Sequence, residues 1–152
     1  MAKILITGMA GAGKSSLLRA LAARGHRVVE TDTDEWEEWV DDGWNWREDV
    51  ITELLDGHEQ GHLFIAGCHT NQGRFYDRLD AVVLLSAPAE ILIARINART
   101  DNPFGKSPEE RELVLRHLAE VEPLLRATAT EELDARAPLE TLADRLEEIA
   151  GA

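Results

Sequence analysis

Cysteine, aromatic residues and positive charge are all scarce in this chain of 152 residues. Because Cys68 is the only cysteine, the chain cannot form an internal disulfide, and it has no Cys/His cluster with the spacing of a zinc site. No apolar run approaches the roughly 20 residues that a membrane-spanning helix requires. These absences exclude a disulfide scaffold and a zinc module, and we expect a location in the reducing cytoplasm.

Acidic residues outnumber basic ones by 29 to 16, which gives a formal net charge of −13. Nucleic acids and anionic membranes attract basic surfaces, so we expect neither as a partner. The length fits one domain over residues 1–152, and the hydrophobic fraction of 44% is ordinary for a globular chain. We expect this domain to be a monomer or a weak dimer.

Short apolar runs alternate with longer amphipathic segments along the chain. Strands are predicted at 3–7, 27–30, 63–66, 81–85 and 131–134. Helices are predicted at 15–24, 33–40, 46–55, 89–99, 109–128 (with a kink at Pro123) and 139–149. This alternation predicts an α/β fold in which helices cover both faces of a parallel sheet. Ligands of such sheets bind at the carboxyl ends of the strands.

The most specific motif follows the first predicted strand. Residues 8–15 read GMAGAGKS and match the phosphate-binding pattern G-x-x-x-x-G-K-[ST] in full. Glycines let the backbone N–H groups turn around a phosphate, and the helix that follows adds its positive end. Lys14 is predicted to reach the terminal phosphates, and the Ser15 hydroxyl to bind Mg²⁺. We therefore predict ATP and Mg²⁺ as cofactors, bound by Gly8, Gly11, Ala12, Gly13, Lys14, Ser15 and Ser16.

Two aspartates follow the second predicted strand, in the segment VVETDTDEW. In an extended chain, side chains two residues apart point to the same side, so Asp32 and Asp34 would both enter the cleft. We predict that Asp32 serves Mg²⁺ through its waters and that Asp34 orients and deprotonates a hydroxyl nucleophile. The alternative is that one of the two caps the next helix.

The phosphate loop, the D-x-D after the second strand and a short proline-containing segment resemble the shikimate kinase and gluconate kinase branch of P-loop kinases. The resemblance implies a three-layer fold with five parallel strands in the order 2-3-1-4-5, an acceptor region at about 33–60 and a lid at about 100–107. In shikimate kinases the first aspartate serves the metal and the second binds the acceptor hydroxyls. Those positions correspond to Asp32 and Asp34.

Arg95 and Arg99 lie four residues apart at the entrance to the predicted lid, so they share one helix face. R-x-x-x-R at this place resembles nucleoside-monophosphate kinases, in which the first arginine packs on adenine and the second touches phosphates. Arg99 is accordingly a predicted catalytic residue, and Lys106 adds charge when the lid closes. The resemblance also places the segment Ala135–Pro138 beside the adenine, with Ala137 and Pro138 as the predicted contacts. The alternative is a solvated helix face with ordinary ion pairs.

The predicted acceptor region departs from shikimate kinases. Those enzymes carry three glycines where residues 66–68 are Ala-Gly-Cys, and a glutamate where Val50 stands in the segment WREDV. They also carry an arginine before the proline of the last long helix, where this chain has Glu122. The departures argue against shikimate as the acceptor. The predicted acceptor contacts are Asp34, Trp46, Arg47, Gly67, Cys68 and Arg74, with His69, Asn71, Gln72 and Tyr76 as further candidates.

Residues 30–42 contain eight acidic residues and no basic one, and all four tryptophans fall between 36 and 46. Kinases of nucleotides need arginines to bind the acceptor phosphate, so a nucleoside monophosphate is disfavoured. A neutral or cationic hydroxylated molecule, stacked on Trp36, Trp39 or Trp46, fits better. The alternative is that the acids form a solvated surface while the tryptophans pack in the core.

The leading hypothesis is an ATP-dependent kinase that transfers the γ-phosphate to a hydroxyl of a small molecule. A nucleoside-monophosphate kinase and an ATP-binding regulatory protein or ATPase without an acceptor remain as alternatives. A GTPase is disfavoured because the guanine-reading Asn-Lys-x-Asp is absent. A motor-type ATPase is disfavoured because no apolar strand ends in adjacent acids.

Overall fold

In the computed structural model, which describes residues 2–100 and 104–151, five parallel strands form one sheet. Its order is β2-β5-β1-β6-β7, which confirms the predicted order 2-3-1-4-5 because β3 and β4 lie outside this sheet. The central strand pairs on one side with β5 and on the other with β6. The five strands are β1 (Lys3–Thr7), β2 (Arg27–Glu30), β5 (Leu63–Ala66), β6 (Ala81–Ser86) and β7 (Glu131–Asp134).

Helices cover both faces of the sheet, and successive residues of β1 enter different cores. Ile4 and Ile6 pack with α1 and α6, whereas Leu5 packs with α2 on the other face. This alternation is the reason that the strand reads as a continuous apolar run. The helices are α1 (Lys14–Ala23), α2 (Glu48–Gly57), α3 (Ala89–Ala98), α4 (Pro108–Glu120), α5 (Glu122–Thr128) and α6 (Leu139–Ala150), with a 3₁₀ helix at Gln72–Arg78.

Two helices, α4 and α5, replace the one long helix predicted at 109–128. The break falls at Val121, two residues before Pro123. A proline has no backbone N–H to donate and its ring clashes with the carbonyl group four residues earlier, so α4 does not continue through Pro123, which instead lies in the first turn of α5. None of the helices within the described ranges combines the length and the apolar character needed to cross a membrane.

The helix predicted at 33–40 is wrong, because this part of the chain forms a turn and then a β-hairpin. Strand β3 (Glu37–Val40) pairs antiparallel with β4 (Gly43–Trp46). The two connecting residues, Asp41 and Asp42, have φ of 52° and 60°, the left-handed region that a two-residue type I′ turn uses. Aspartate tolerates this region better than most residues.

Candidate functional site

The loop between β1 and α1 curls around the ammonium group of Lys14. Its Nζ donates hydrogen bonds to the carbonyl oxygens of Gly8, at 2.7 Å, and Met9, at 3.1 Å. Gly11 has φ of 83°, and a Cβ there would lie 2.6 Å from the carbonyl oxygen of Leu92. The loop therefore needs glycine at this position both for its backbone conformation and for its contact with α3. The positive charge of the Lys14 side chain therefore lies where the motif predicts the terminal phosphates of the nucleotide.

The Ser15 hydroxyl at the start of α1 donates a hydrogen bond to the carboxylate of Glu30, the last residue of β2. The sequence prediction placed Asp32 at the metal and overlooked Glu30. The signal was nevertheless available, because Glu30 continues the alternation of Asp32 and Asp34 backwards by two residues. Hydroxyl and carboxylate oxygens are the hard ligands that suit Mg²⁺, so Ser15 and Glu30 fit a magnesium site.

Asp32 lies in a cluster with Glu37 and His69. The His69 Nε2 is 2.7 Å from a carboxylate oxygen of Glu37 and 3.9 Å from one of Asp32. The imidazole is completely buried, and its Nδ1 has no hydrogen-bond partner among the described residues. The pair of Glu37 and His69 thus ties the hairpin to the loop after β5, directly beside Asp32.

Asp34 occupies a different position from the one that the sequence predicts. The chain turns at 33–36, since the backbone N–H groups of Trp36 and Glu37 donate to the carbonyl oxygen of Thr33 at 2.9 and 3.0 Å. Asp34 lies exposed within this turn rather than in extended chain. The alternation that was expected to direct both aspartates into one cleft therefore does not extend to Asp34.

The loop after β5 packs closely against the end of β2. A Cβ on Gly67 would lie 2.2 Å from the Thr31 Oγ1 and 3.0 Å from two ring atoms of His69, so only glycine fits there. The next residue, Cys68, is near the phosphate loop: burial raises the pKa of its thiol, and the nearby Lys14 ammonium partly offsets this rise. Gly67 thus lies against Thr31 and His69, and Cys68 lies near both Lys14 and Asp32.

On the lid side, Arg95 connects two loops. It donates to the carbonyl oxygens of Ala12, at 3.2 Å, and Ala135, at 2.6 Å, which joins the phosphate loop to the segment after β7. Beside it is an open cavity of about 500 Å³. The apolar walls and two guanidinium groups of this cavity suit a flat base. It is lined by Ile91, Ala94, Arg95, Ala98 and Arg136.

Arg136, in the segment Ala135–Pro138 predicted to line the adenine, was not recognised from the sequence. Its guanidinium is paired with Asp134 at 2.7 Å, and this hydrogen-bonded pair lowers the pKa of the Asp134 carboxyl to about 2. Ala137 donates its N–H to the Asp134 carbonyl oxygen at 3.1 Å, and Pro138 precedes α6. Arg136 and Ala137 are therefore both held against Asp134, the last residue of β7.

Arg99 donates to the carbonyl oxygen of Phe104 at 2.6 Å, and Lys106 donates to the carbonyl oxygen of Arg99. The predicted lid is thus tied to the end of α3 at its second half. Residues 101–103 of the predicted lid lie outside the described residues.

The comparisons with known proteins agree with this geometry. A family model described as AAA domain matches residues 4–116, about three quarters of the chain. The chain belongs to this AAA domain family. No curated protein sequence matches it.

Solved structures show the fold of this AAA domain. Shikimate kinase from Acinetobacter baumannii, in complex with shikimate, has a TM-score of 0.70 at 20% identity, over 98% of this chain and 92% of that one. Shikimate kinase from Bacteroides thetaiotaomicron has a TM-score of 0.71 at 21% identity, over 99% of both chains. Deoxyadenosine kinase from M. mycoides with bound dATP has a TM-score of 0.62 at 14% identity, over 100% of both chains. The predicted α/β fold of the P-loop kinases is thereby confirmed.

Within this AAA domain, Trp46 belongs to the core. It is 1% exposed, packs edge-to-face on Phe75 and donates its indole N–H to the Thr31 Oγ1 at 2.9 Å. The prediction that an acceptor stacks on Trp46 is therefore wrong, because no face of the ring is accessible. Trp39 and Trp44, at 58% and 45% exposure, are the accessible tryptophans of the hairpin.

The two predicted acceptor arginines of the AAA domain have partners of their own. Arg47 donates to the carbonyl oxygen of Glu35 at 3.2 Å. Arg74 is exposed and forms a 3.0 Å ion pair with Glu48. In the same region, the Asn71 side chain accepts from the Trp46 N–H at 2.7 Å and donates to its carbonyl oxygen at 2.9 Å. These contacts attach the hairpin to the loop after β5.

Gln72 and Tyr76, two further predicted acceptor contacts, stabilise the loop after β5. Gln72 accepts from the N–H of His69 and donates to the Tyr76 hydroxyl, both at 2.9 Å. Gln72 is 3% exposed. Its contacts hold the loop internally.

Glu122 lies in another part of the molecule. Its carboxylate pairs with Arg126 at 2.7 Å, and its other oxygen has no hydrogen-bond partner in the described part of the chain. It lines a cavity of about 570 Å³ with Ser86 and Asp134, at the carboxyl ends of β6 and β7. In the sheet order these strands lie on the other side of β1 from Asp32. Glu122 therefore belongs to a different part of the strand-end edge from the cluster at Asp32.

Proposed function

We propose that this protein is an ATP-dependent kinase that transfers the γ-phosphate to a hydroxyl of a small, neutral or cationic molecule. The observation that carries the proposal is the meeting of two groups at one edge of the sheet. The phosphate loop surrounds the Lys14 ammonium, the Ser15 hydroxyl bonds to Glu30 at the end of β2, and Asp32 follows two residues later. This proximity supports a phosphate donor and a base for an acceptor at the same edge of the sheet.

Each residue has a role in the transfer. Lys14 and Arg99 stabilise the negative charge on the phosphoryl group as it moves. Ser15 and Glu30 would hold Mg²⁺, which would supply positive charge against the phosphates of ATP. The acceptor oxygen forms the new bond to the γ-phosphorus, the bond to the bridging oxygen breaks, and ADP leaves. The hydroxyl proton passes to an aspartate.

We assign the proton-accepting role to Asp32 rather than Asp34. Asp32 lies two residues after β2, with a carboxylate oxygen 3.9 Å from Nε2 of the buried His69, which is paired with Glu37 and restrains its surroundings. Both aspartates are exposed, but Asp34 lies within the turn at 33–36. A base must be held within hydrogen-bond reach of its substrate, and the restrained position serves this better.

The phosphate-loop assignment is tested by Lys14→Ala. We expect ATP affinity, measured by calorimetry, and ADP release to fall by at least tenfold, since the charge opposite the terminal phosphates is removed. Lys3→Ala is the matched control, because Lys3 begins β1 at the end of the sheet away from the loop. If Lys14→Ala keeps both its ATP affinity and its turnover, the phosphate-loop assignment is wrong.

The assignment of the base is tested by Asp32→Asn beside Asp34→Asn. With an acceptor that stimulates ADP release, Asp32→Asn should lower kcat by about 10²- to 10⁴-fold while ATP binding persists. Asp34→Asn should have a small effect. The reverse pattern would return the role to Asp34, as the sequence predicted. ATP binding without release of ADP in the presence of any acceptor would favour a regulatory ATP-binding module instead.

A further inference from the structure

The register of the hairpin places four side chains on one face. Glu37 is opposite Trp46, and Trp39 is opposite Trp44. In paired strands, residues two apart point to the same side, so both cross-strand pairs share a face. The inner pair is fixed, because Glu37 contacts His69 beside Asp32 and Trp46 is buried. The outer pair, Trp39 and Trp44, continues the same face outward from the cluster at Asp32.

This outer pair is unusual in its exposure. Trp39 and Trp44 pack edge-to-face at 5.4 Å between ring centroids, yet remain 58% and 45% exposed. Tryptophan contributes most to folding when buried, so an exposed pair on the same face as the cluster at Asp32 points to a ligand that covers it. The face of a tryptophan ring attracts cations more strongly than any other side-chain ring does.

Charge around the pair has one sign. The segment 30–46 contains eight acidic residues and no basic one. The nearest arginines, Arg47 and Arg74, are hydrogen-bonded to a carbonyl oxygen and to Glu48. A carboxylate or phosphate on the acceptor would meet an excess of negative charge at the hairpin, whereas an ammonium group would be attracted.

We propose that the β3–β4 hairpin is the acceptor-recognition surface, and that the acceptor is a hydroxylated amine or quaternary ammonium compound. Its cationic group lies against Trp39 and Trp44 while its hydroxyl reaches Asp32. This inference rests on the proposed kinase function and narrows its acceptor class. A protonated amine has no free electron pair, so binding the cation in this form leaves the hydroxyl as the nucleophile.

The test uses two pairs of probes matched in shape and different in charge: choline with its uncharged isostere 3,3-dimethylbutan-1-ol, and glucosamine with glucose. The open-chain acid gluconate is added as an anionic probe. Binding is measured by titration calorimetry in the presence of MgADP, and turnover by ADP release from MgATP. We expect the cationic member of each pair to bind at least tenfold more tightly than its uncharged counterpart.

The double variant Trp39→Leu/Trp44→Leu should lose this preference, because leucine keeps an apolar surface but has no ring face. The double phenylalanine variant should retain part of it. Leu124→Ala is a control for removal of an exposed apolar side chain elsewhere, since Leu124 is 67% exposed on α5, and it should bind every probe as the wild type does.

Three results would overturn the inference: no response to the cationic probes, an equal or greater response to the uncharged or anionic ones, or a cation preference that survives the double leucine substitution. Different results distinguish a failure of the cationic-acceptor inference from a failure of the kinase proposal. Phosphorylation of glucose or gluconate would keep the kinase function and reject the cationic acceptor. Unaltered ATP binding and turnover in Lys14→Ala would reject the phosphate-loop basis of the kinase itself.

Discussion

The carboxylate of Glu30 accepts a hydrogen bond from the Ser15 hydroxyl at the mouth of the phosphate loop. Replacing it in Glu30→Gln removes one negative charge and a hard oxygen ligand from the proposed magnesium site. We expect the Mg²⁺ concentration for half-maximal ADP release to rise by about tenfold, the usual scale for losing a supporting group of a metal site. Glu59→Gln, exposed before β5, is the control. An unchanged Mg²⁺ dependence in Glu30→Gln would remove Glu30 from this role.

The variant Gly67→Ala tests the close packing between the end of β2 and the loop after β5. The added methyl group of Gly67→Ala would lie 2.2 Å from the Thr31 Oγ1 and 3.0 Å from the His69 ring. Such crowding typically costs about 1–3 kcal/mol, so we expect a lower Tm in scanning calorimetry. Gly73→Ala is the matched control, because a Cβ there meets no atom within 4 Å. Equal Tm values for both variants would show that the packing relaxes freely.

At the scale of the element, the hairpin turn is the clearest opportunity for stabilisation. Asp41 and Asp42 both adopt positive φ, which costs free energy in a residue with a side chain. Replacing the pair by Asn-Gly, the preferred type I′ turn, should raise the free energy of unfolding by about 1 kcal/mol, measured by urea denaturation. Replacing the pair by Ala-Ala should lower it. The same sign for both variants would contradict the assigned turn type.

The same hairpin shows where prediction from sequence succeeded and where it stopped. All five sheet strands were predicted. Three of them, β1, β5 and β6, are buried apolar runs that follow from local pattern alone, whereas β2 (RVVE) and β7 (EELD) are partly exposed and follow from the alternation of strands and helices. The segment 33–40 carries a helix-compatible pattern, but its fold depends on cross-strand contacts of Trp39 with Trp44 and of Glu37 with His69. Such contacts between distant residues are not encoded in local periodicity.

The residues of the candidate site also differ in whether the sequence alone could predict them. Lys14 and Ser15 belong to a contiguous motif whose geometry follows from its glycines, so the sequence was sufficient for the phosphate loop. Glu30 continues the alternation of Asp32 and Asp34, but its contact with Ser15 of α1 is seen only in the fold, and so is the cavity that Arg136 lines with α3. Asp34 was placed by assuming an extended chain, and the turn at 33–36 removes that basis.

At the scale of the whole molecule, ion pairs link the first and last helices and make stability depend on pH. Glu147 of α6 accepts hydrogen bonds from His26 and Arg24, which lower the pKa of its carboxyl below the ordinary value of 4.5. A lowered carboxyl pKa adds stability at pH values above the ordinary pKa, and that stability is lost as the pH falls through the lowered one. Glu132 and Asp134 also have lowered pKa values, so their contributions have the same sign.

We therefore expect Tm to fall as the pH is lowered from about 4.5 toward 2, followed by scanning calorimetry. Arg24→Gln should reduce this dependence, because it removes a guanidinium that contacts Glu140, Asp144 and Glu147. Arg145→Gln is the control, because Arg145 lies on α6 with the contacted carboxylates but has a more exposed guanidinium than Arg24. Parallel curves of Tm against pH for wild type and Arg24→Gln would show that this network does not couple to protons.

The clustering of the tryptophans has an optical consequence. All four lie within residues 36–46, so the indole fluorescence of the entire protein originates in the hairpin and the turn before it. Far-ultraviolet circular dichroism instead reports mainly on the sheet and helices. Denaturation curves from the two signals coincide only if the hairpin melts together with the rest of the fold. A change in emission on adding a small molecule therefore reports on this one corner of the protein without any attached label.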